Sequence, residues 1–124
     1  MIDHISIQCA DVPAAAAFYD AVLAPLGYRR IMDFQTVVGY GTEEKPAFWI
    51  GPREHDSEAA ANMPPHIAFA ASSREAVDEF FRAAIAAGAE ELHAPRIWPE
   101  YHETYYGGFV RDPDGNNVEA VNHG

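Results

Sequence analysis

The feature that most constrains the fold is a repeat. His4-Ile5-Ser6-Ile7 returns as His66-Ile67-Ala68-Phe69 at an offset of 62 residues, and Phe18-Tyr19 returns as Phe80-Phe81 at the same offset. Gly27 is answered by Gly88, one residue short of that spacing. Half of the 124-residue chain is also 62 residues, so each half holds one copy of a strand, a helix and a stopping glycine. Two matched histidines alone would mean little; the whole matched series makes a duplicated module the better reading.

Local signals agree within each copy. Residues 2–9 alternate, with His4, Ser6 and Gln8 on one face and Ile5, Ile7 and Cys9 on the other, as a half-buried strand does. Asp11 is placed to cap the next helix, and Pro13 is tolerated in its first turn because no helical partner awaits its missing N–H. Ala14, Ala17, Phe18, Ala21, Val22 and Leu26 then recur at helical spacing until Gly27. Strands are expected at 28–32, 36–41 and 47–50. The second copy repeats the plan: a strand at 66–71, Ser72 and Glu75 at capping-box spacing, and a buried stripe of Val77, Phe80, Phe81, Ala84 and Ile85 up to Gly88. Strands follow at 90–93, 105–111 and 117–122. Each module therefore reads βαβββ, with module one at 1–51, a linker at 52–64 and module two at 65–124. The aromatic, proline-interrupted stretch 94–104 has no counterpart in the first half and is expected to be a loop.

Composition removes whole classes of function. A chain this long has core enough for one domain and needs no staples. Cys9 is the single cysteine, which excludes an internal disulfide and any four-thiolate zinc site. Eight basic against nineteen acidic residues leave a formal charge of −11, which repels phosphate backbones, so nucleic acid is not an expected partner. The start of the chain has neither a basic nor an apolar signal region, and no apolar run approaches membrane-spanning length. The expectation is a soluble, cytoplasmic domain. There is no P-loop, dinucleotide fingerprint or Gly-x-Ser-x-Gly elbow.

His4 and His66 begin equivalent strands on the face opposite the large apolar residues. Taken singly, each is an ordinary core or surface histidine; as a pair they lie near one internal axis. Glu119 sits mid-strand among apolar residues, a costly place for a carboxylate unless it is paired, with Arg111 for instance, or bound to a cation. Two histidines and a carboxylate suit Zn, Ni, Mn, Co or Fe with coordination positions left open. His102, Tyr101, Tyr105 and Tyr106 crowd the stretch before the last hairpin, where His102 is a candidate general acid or base or a fourth ligand, against the plainer reading of a solvated, idle loop histidine. Tyr105, Phe109 and Arg111 share a strand face, while Trp49, Trp98 and Phe34 offer apolar walls. Cys9 faces the apolar side and reads as an inert buried thiol.

The paired βαβββ modules, the two strand-leading histidines, the Asp11-Val12-Pro13 and Phe18-Tyr19 helix signals and the ending Phe109-Val110-Arg111-Asp112-Pro113-Asp114-Gly115-Asn116-Asn117-Val118-Glu119 resemble the vicinal oxygen chelate superfamily. That superfamily holds glyoxalase I, extradiol dioxygenases, fosfomycin-resistance and bleomycin-resistance proteins. The resemblance spans nearly the whole chain. It implies an α+β fold of paired modules, an eight-stranded cup with helices outside, and His4, His66 and Glu119 as ligands of a divalent metal that stabilises a substrate oxyanion. It also implies a homodimer acting on a small molecule. Glyoxalase I takes a further glutamate from the strand where Trp49 stands here, so its full ligand set is not matched. The resulting expectation is lyase or isomerase chemistry on a carbonyl substrate, with His102, Tyr105 and Arg111 as catalytic groups and Trp49, Tyr106 and Phe109 lining the pocket. The alternatives are a dioxygenase-like oxygenase and a metal-free binding protein.

Overall fold

The computed structural model describes residues 2–53 and 65–124, so most of the expected linker lies outside the described residues. The order is β1 (Ile5–Cys9), α1 (Val12–Leu23), β2 (Arg29–Asp33), β3 (Val38–Gly41), β4 (Phe48–Pro52), β5 (His66–Ala70), α2 (Arg74–Ala86), β6 (Glu90–Ile97), β7 (Tyr106–Arg111) and β8 (Asn117–Asn122). The eight strands divide into two four-stranded sheets of the same topology, β1-β4-β3-β2 and β5-β8-β7-β6. In each, the first strand runs parallel to the last and the remaining pairs are antiparallel. Registers repeat as well: Ser6 lies opposite Trp49 as Ala68 lies opposite Glu119. Trp49 therefore occupies the place in sheet one that Glu119 occupies in sheet two.

The helix ends follow local chemistry. Asp11 accepts a hydrogen bond from the Ala14 N–H at 3.0 Å, and the chain leaves α1 through a 3₁₀ turn, Ala24–Leu26, to Gly27 at φ 84°. Ser73, not Ser72, caps α2, its Oγ accepting from the Ala76 N–H at 3.1 Å. Either serine can serve as the cap; of the expected stripe, Val77, Phe80 and Ala84 are buried together with Ala76, Phe81 is half-buried and Ile85 is exposed. The strand expected to end at 93 continues to Ile97, through Pro95, which is tolerable because β6 is an edge strand.

One core joins the modules. α1 packs on α2 and on β4, and α2 packs on β6, β7 and β8. Phe48 of sheet one meets Phe69 of sheet two edge to face, with ring centres 5.1 Å apart. Tyr19, Val22, Leu23, Ile50, Val77, Phe80, Val110 and Val118 are fully buried around them. Their opposite sheet faces are thus free for other work. Among the described residues no helix is long and apolar enough to cross a membrane.

Candidate functional site

Sheet two carries the site. Ile67, Phe69 and Val118 point into the core, and alternation sends His66, Asn117 and Glu119 to the other face, where Phe109 stands directly opposite Glu119. There they line a cavity of about 500 Å³ together with His93, Trp98, Tyr101 and Tyr105. Glu119 is 1% exposed, so its charge has to be met by the protein. Its Oε1 lies 3.0 Å from His66 Nε2, and its Oε2 accepts a hydrogen bond from the Tyr105 hydroxyl. Burial first, and then the Glu119 carboxylate, push the Tyr105 phenol above its ordinary range, so it stays protonated and donates. Space for this arrangement depends on Gly107: a Cβ there would stand 2.9 Å from Glu119 Oε2.

The walls are aromatic. The His66 ring stacks on Phe109 with centres 5.8 Å apart, while His93 and Trp98 meet Phe109 edge-on. Trp98 is pinned by its indole N–H, which donates to the Gly107 carbonyl at 2.9 Å, and Tyr101 stacks over it. Tyr101 itself is 59% exposed at the rim.

The structure brings together only part of the expected set. His66, Glu119, Tyr105 and Phe109 meet in the cavity. His4 lies just before β1 and pairs with Asp3 at 2.7 Å instead. His102 is directed away: its Nε2 lies 2.8 Å from His123 Nδ1, and the two rings brace Tyr105 from outside. Arg111 neither pairs with Glu119 nor reaches the cavity; it binds Glu90 at 2.9 Å and the Gly115 carbonyl at 2.9 Å. Tyr106 faces α2, donating to Asp78 at 2.7 Å. Trp49 belongs to the other sheet, stacked on Phe34. Sequence reasoning missed His93 and Asn117. His93 lies within the strand expected at 90–93, and its register opposite Phe109 across the β6–β7 hairpin is the signal that places it at the site.

Residues 1–120 match the profile of the Glyoxalase/Bleomycin resistance protein/Dioxygenase superfamily. The chain belongs to that superfamily. An uncharacterized Pseudomonas aeruginosa protein, PA2024, is 36% identical over 122 residues, covering 95% of this chain and 85% of its own length. A glyoxalase/bleomycin resistance protein from Albidiferax ferrireducens T118 superposes with a TM-score of 0.79 at 27% identity, covering 97% of each chain. A lactoylglutathione lyase from Agrobacterium tumefaciens shares the fold, with a TM-score of 0.70 at 24% identity over 98% of this chain and 92% of its own.

In this superfamily member the most diagnostic motif is structural. Asp112 is buried and accepts from the Tyr19 hydroxyl at 2.6 Å, from Asn116 Nδ2 at 2.7 Å and from the Asn116 and Asp114 backbone N–H groups at 2.8 and 2.9 Å. Asp114 accepts from the Ala10 N–H at 2.8 Å. The turn before β8 thus latches module two onto α1 and β1 of module one, and in doing so it sets where Glu119 begins its strand.

The donor chemistry fits two positions of a metal site. An imidazole nitrogen and a carboxylate oxygen 3.0 Å apart are spaced as neighbouring ligands around one ion with bonds of about 2.0–2.2 Å. Among the described residues of a single chain, no group of three or more His, Cys, Asp or Glu side chains could hold such an ion.

Proposed function

We propose that this protein is a metal-dependent enzyme of lyase or isomerase type, acting as a homodimer on a small carbonyl-bearing molecule in the cavity over β5, β7 and β8. The observation that carries the reading is the His66–Glu119 pair at the base of an aromatic cavity, 3.0 Å apart and open toward solvent on the His66 side. His66 and Glu119 would hold the ion, with His4 of the partner subunit as the third ligand. A two-fold dimer in which module one of one copy faces module two of the other explains why His4 stands clear of its own cavity. A divalent ion supplies Lewis acidity at a carbonyl oxygen when bound.

The chain's own residues supply the rest. Tyr105 holds Glu119 Oε2, leaving Oε1 to face His66. His93, within the cavity wall, takes the proton-transfer role first expected of His102. Phe109 and Trp98 exclude water from the base of the site. Metal-loaded protein is expected to turn over α-hydroxyketones or 2-oxoaldehydes, with loss of activity in His93→Ala at unchanged metal content. Rapid oxygen uptake with catechols by the iron-loaded protein would instead establish the oxygenase alternative.

A second reading has one observation in its favour. Both oxygens of Glu119 already have partners within the chain, His66 and Tyr105, as a metal-free binding protein would require. Absence of stoichiometric metal after supplementation would select it.

A further inference from the structure

Two histidines that take no part in lining the cavity meet beside Tyr105. His102 comes from the loop before β7 and His123 from the tail just past β8, and His102 Nε2 lies 2.8 Å from His123 Nδ1. Both rings sit edge-on to the Tyr105 ring, with centres 5.3 and 5.2 Å away. The phenol between them donates its hydrogen bond to Glu119 Oε2. Tyr101, the other aromatic neighbour of Tyr105 among the described residues, is itself exposed. The histidine pair therefore links the loop that carries Tyr105 to the end of the strand that carries Glu119.

The hydrogens of the pair are fixed by a backbone group. The Thr104 N–H points at His102 Nδ1 at 3.2 Å, which makes that nitrogen an acceptor and puts the His102 proton on Nε2. That N–H then donates to His123 Nδ1, so the His123 proton is also on Nε2. Thr104 Oγ1, 3.3 Å from His102 Nδ1, commits its own proton to the His123 carbonyl at 2.6 Å. A donor faces an acceptor at each step from Thr104 to His123 only while both imidazoles are neutral. A proton added to His102 would set Nδ1–H against the Thr104 N–H; one added to His123 would set Nδ1–H against the His102 Nε2–H. Both rings are exposed, and histidine is the side chain that charges between about pH 5 and 8. Their titratable neighbours are Glu103 in sequence, Tyr101 and Tyr105 of the loop and, across the Tyr105 ring, Glu119 of β8 with His66 of β5.

We propose that His102 and His123 are positioning residues for Glu119: while both are neutral their hydrogen bond holds the Tyr105 phenol against the carboxylate, and a charge on either ring releases it. No ion in the cavity is needed for this, so it stands apart from the function proposed above.

Carbon-13 NMR of the metal-free, full-length protein labelled at tyrosine Cζ reads the bond, the Tyr105 signal being the one that Tyr105→Phe removes. At about pH 8 that signal is expected downfield of a solvated phenol, as donation to a carboxylate requires. His102→Ala and His123→Ala are each expected to return it to the solvated position. His102→Gln, whose amide donates from the place of Nε2, and His123→Asn, whose oxygen accepts at the place of Nδ1, are expected to leave it displaced. Lowering the pH to about 5 should move the wild-type signal and leave the His102→Gln/His123→Asn double variant unmoved. An unmoved signal in both alanine variants overturns the positioning role. Equal movement of wild type and double variant on acidification assigns the change to His66 and Glu119 and overturns the dependence on the pair. The wild-type and double-variant comparison decides the matter even if the alanine variants do not fold.

Discussion

At the scale of single residues, Glu119 organises the base of the cavity through His66 and Tyr105. Gly107→Ala would drive a Cβ to 2.9 Å from its Oε2, and β7 has a backbone partner on each side that keeps it from yielding. A loss of about 1–3 kcal/mol in urea unfolding is expected, together with weakened metal uptake. Tyr105→Phe removes the donor to the same oxygen; with the carboxylate still buried, about 1–3 kcal/mol should be lost and the Glu119–His66 geometry relaxed. Cys9 gives a chemical check on the core. Burial raises its thiol from 9.0 to about 12, with Asp114 adding to the shift, so native protein at pH 8 should resist a disulfide-exchange reagent that reacts at once after unfolding. The sign of the linkage follows from that rise: the neutral thiol's contribution to stability is complete below the unfolded value and is lost as pH climbs from about 9 toward about 12. Of the site, His66, Glu119, Tyr105 and Phe109 were legible because alternation along β5, β7 and β8 puts them on one face. His102 misled because nearness in sequence to the hairpin says nothing about which way a loop turns, and His123, its actual partner, lies 21 residues on.

At the scale of elements, the turn joining β7 to β8 ties the two modules together beside their shared core, through Asp112 and Asp114. Tyr19→Phe leaves buried Asp112 short of one 2.6 Å donor and is expected to cost about 1–3 kcal/mol without altering metal binding. Burial raises the Tyr19 hydroxyl well above its ordinary range, with Asp112 reinforcing it, so this bond persists across the neutral and mildly alkaline range. The motif that made the superfamily recognisable is this latch, which is why the residues could announce the fold so clearly and the reaction so poorly. Strand and helix identities were legible from period-two and helical spacing. Ends were less so: β1 starts at Ile5, leaving His4 outside, and β6 runs on to Ile97 because its edge position excuses Pro95. Neither fact is local, since both depend on which strands become neighbours.

At the scale of the whole molecule, two like modules share one core through α1 and α2, while the opposite face of sheet two carries the cavity. Trp49 holds the position in sheet one that Glu119 holds in sheet two, so the two equivalent positions present one carboxylate, not two. Pairing two copies by a two-fold axis would give two identical sites, each with His4 from one chain and His66 and Glu119 from the other. Light scattering is then expected to report a dimer at micromolar concentration. Mixing inactive variants tests the central claim most directly. His4→Ala and His66→Ala homodimers should each lack metal, yet a heterodimer of the two retains one intact site. Unfolding and refolding an equal mixture should therefore restore metal to about a quarter of the wild-type content, half of the dimers being mixed and each carrying one site of two. Full metal in His4→Ala alone, or no recovery on mixing, would contradict the account.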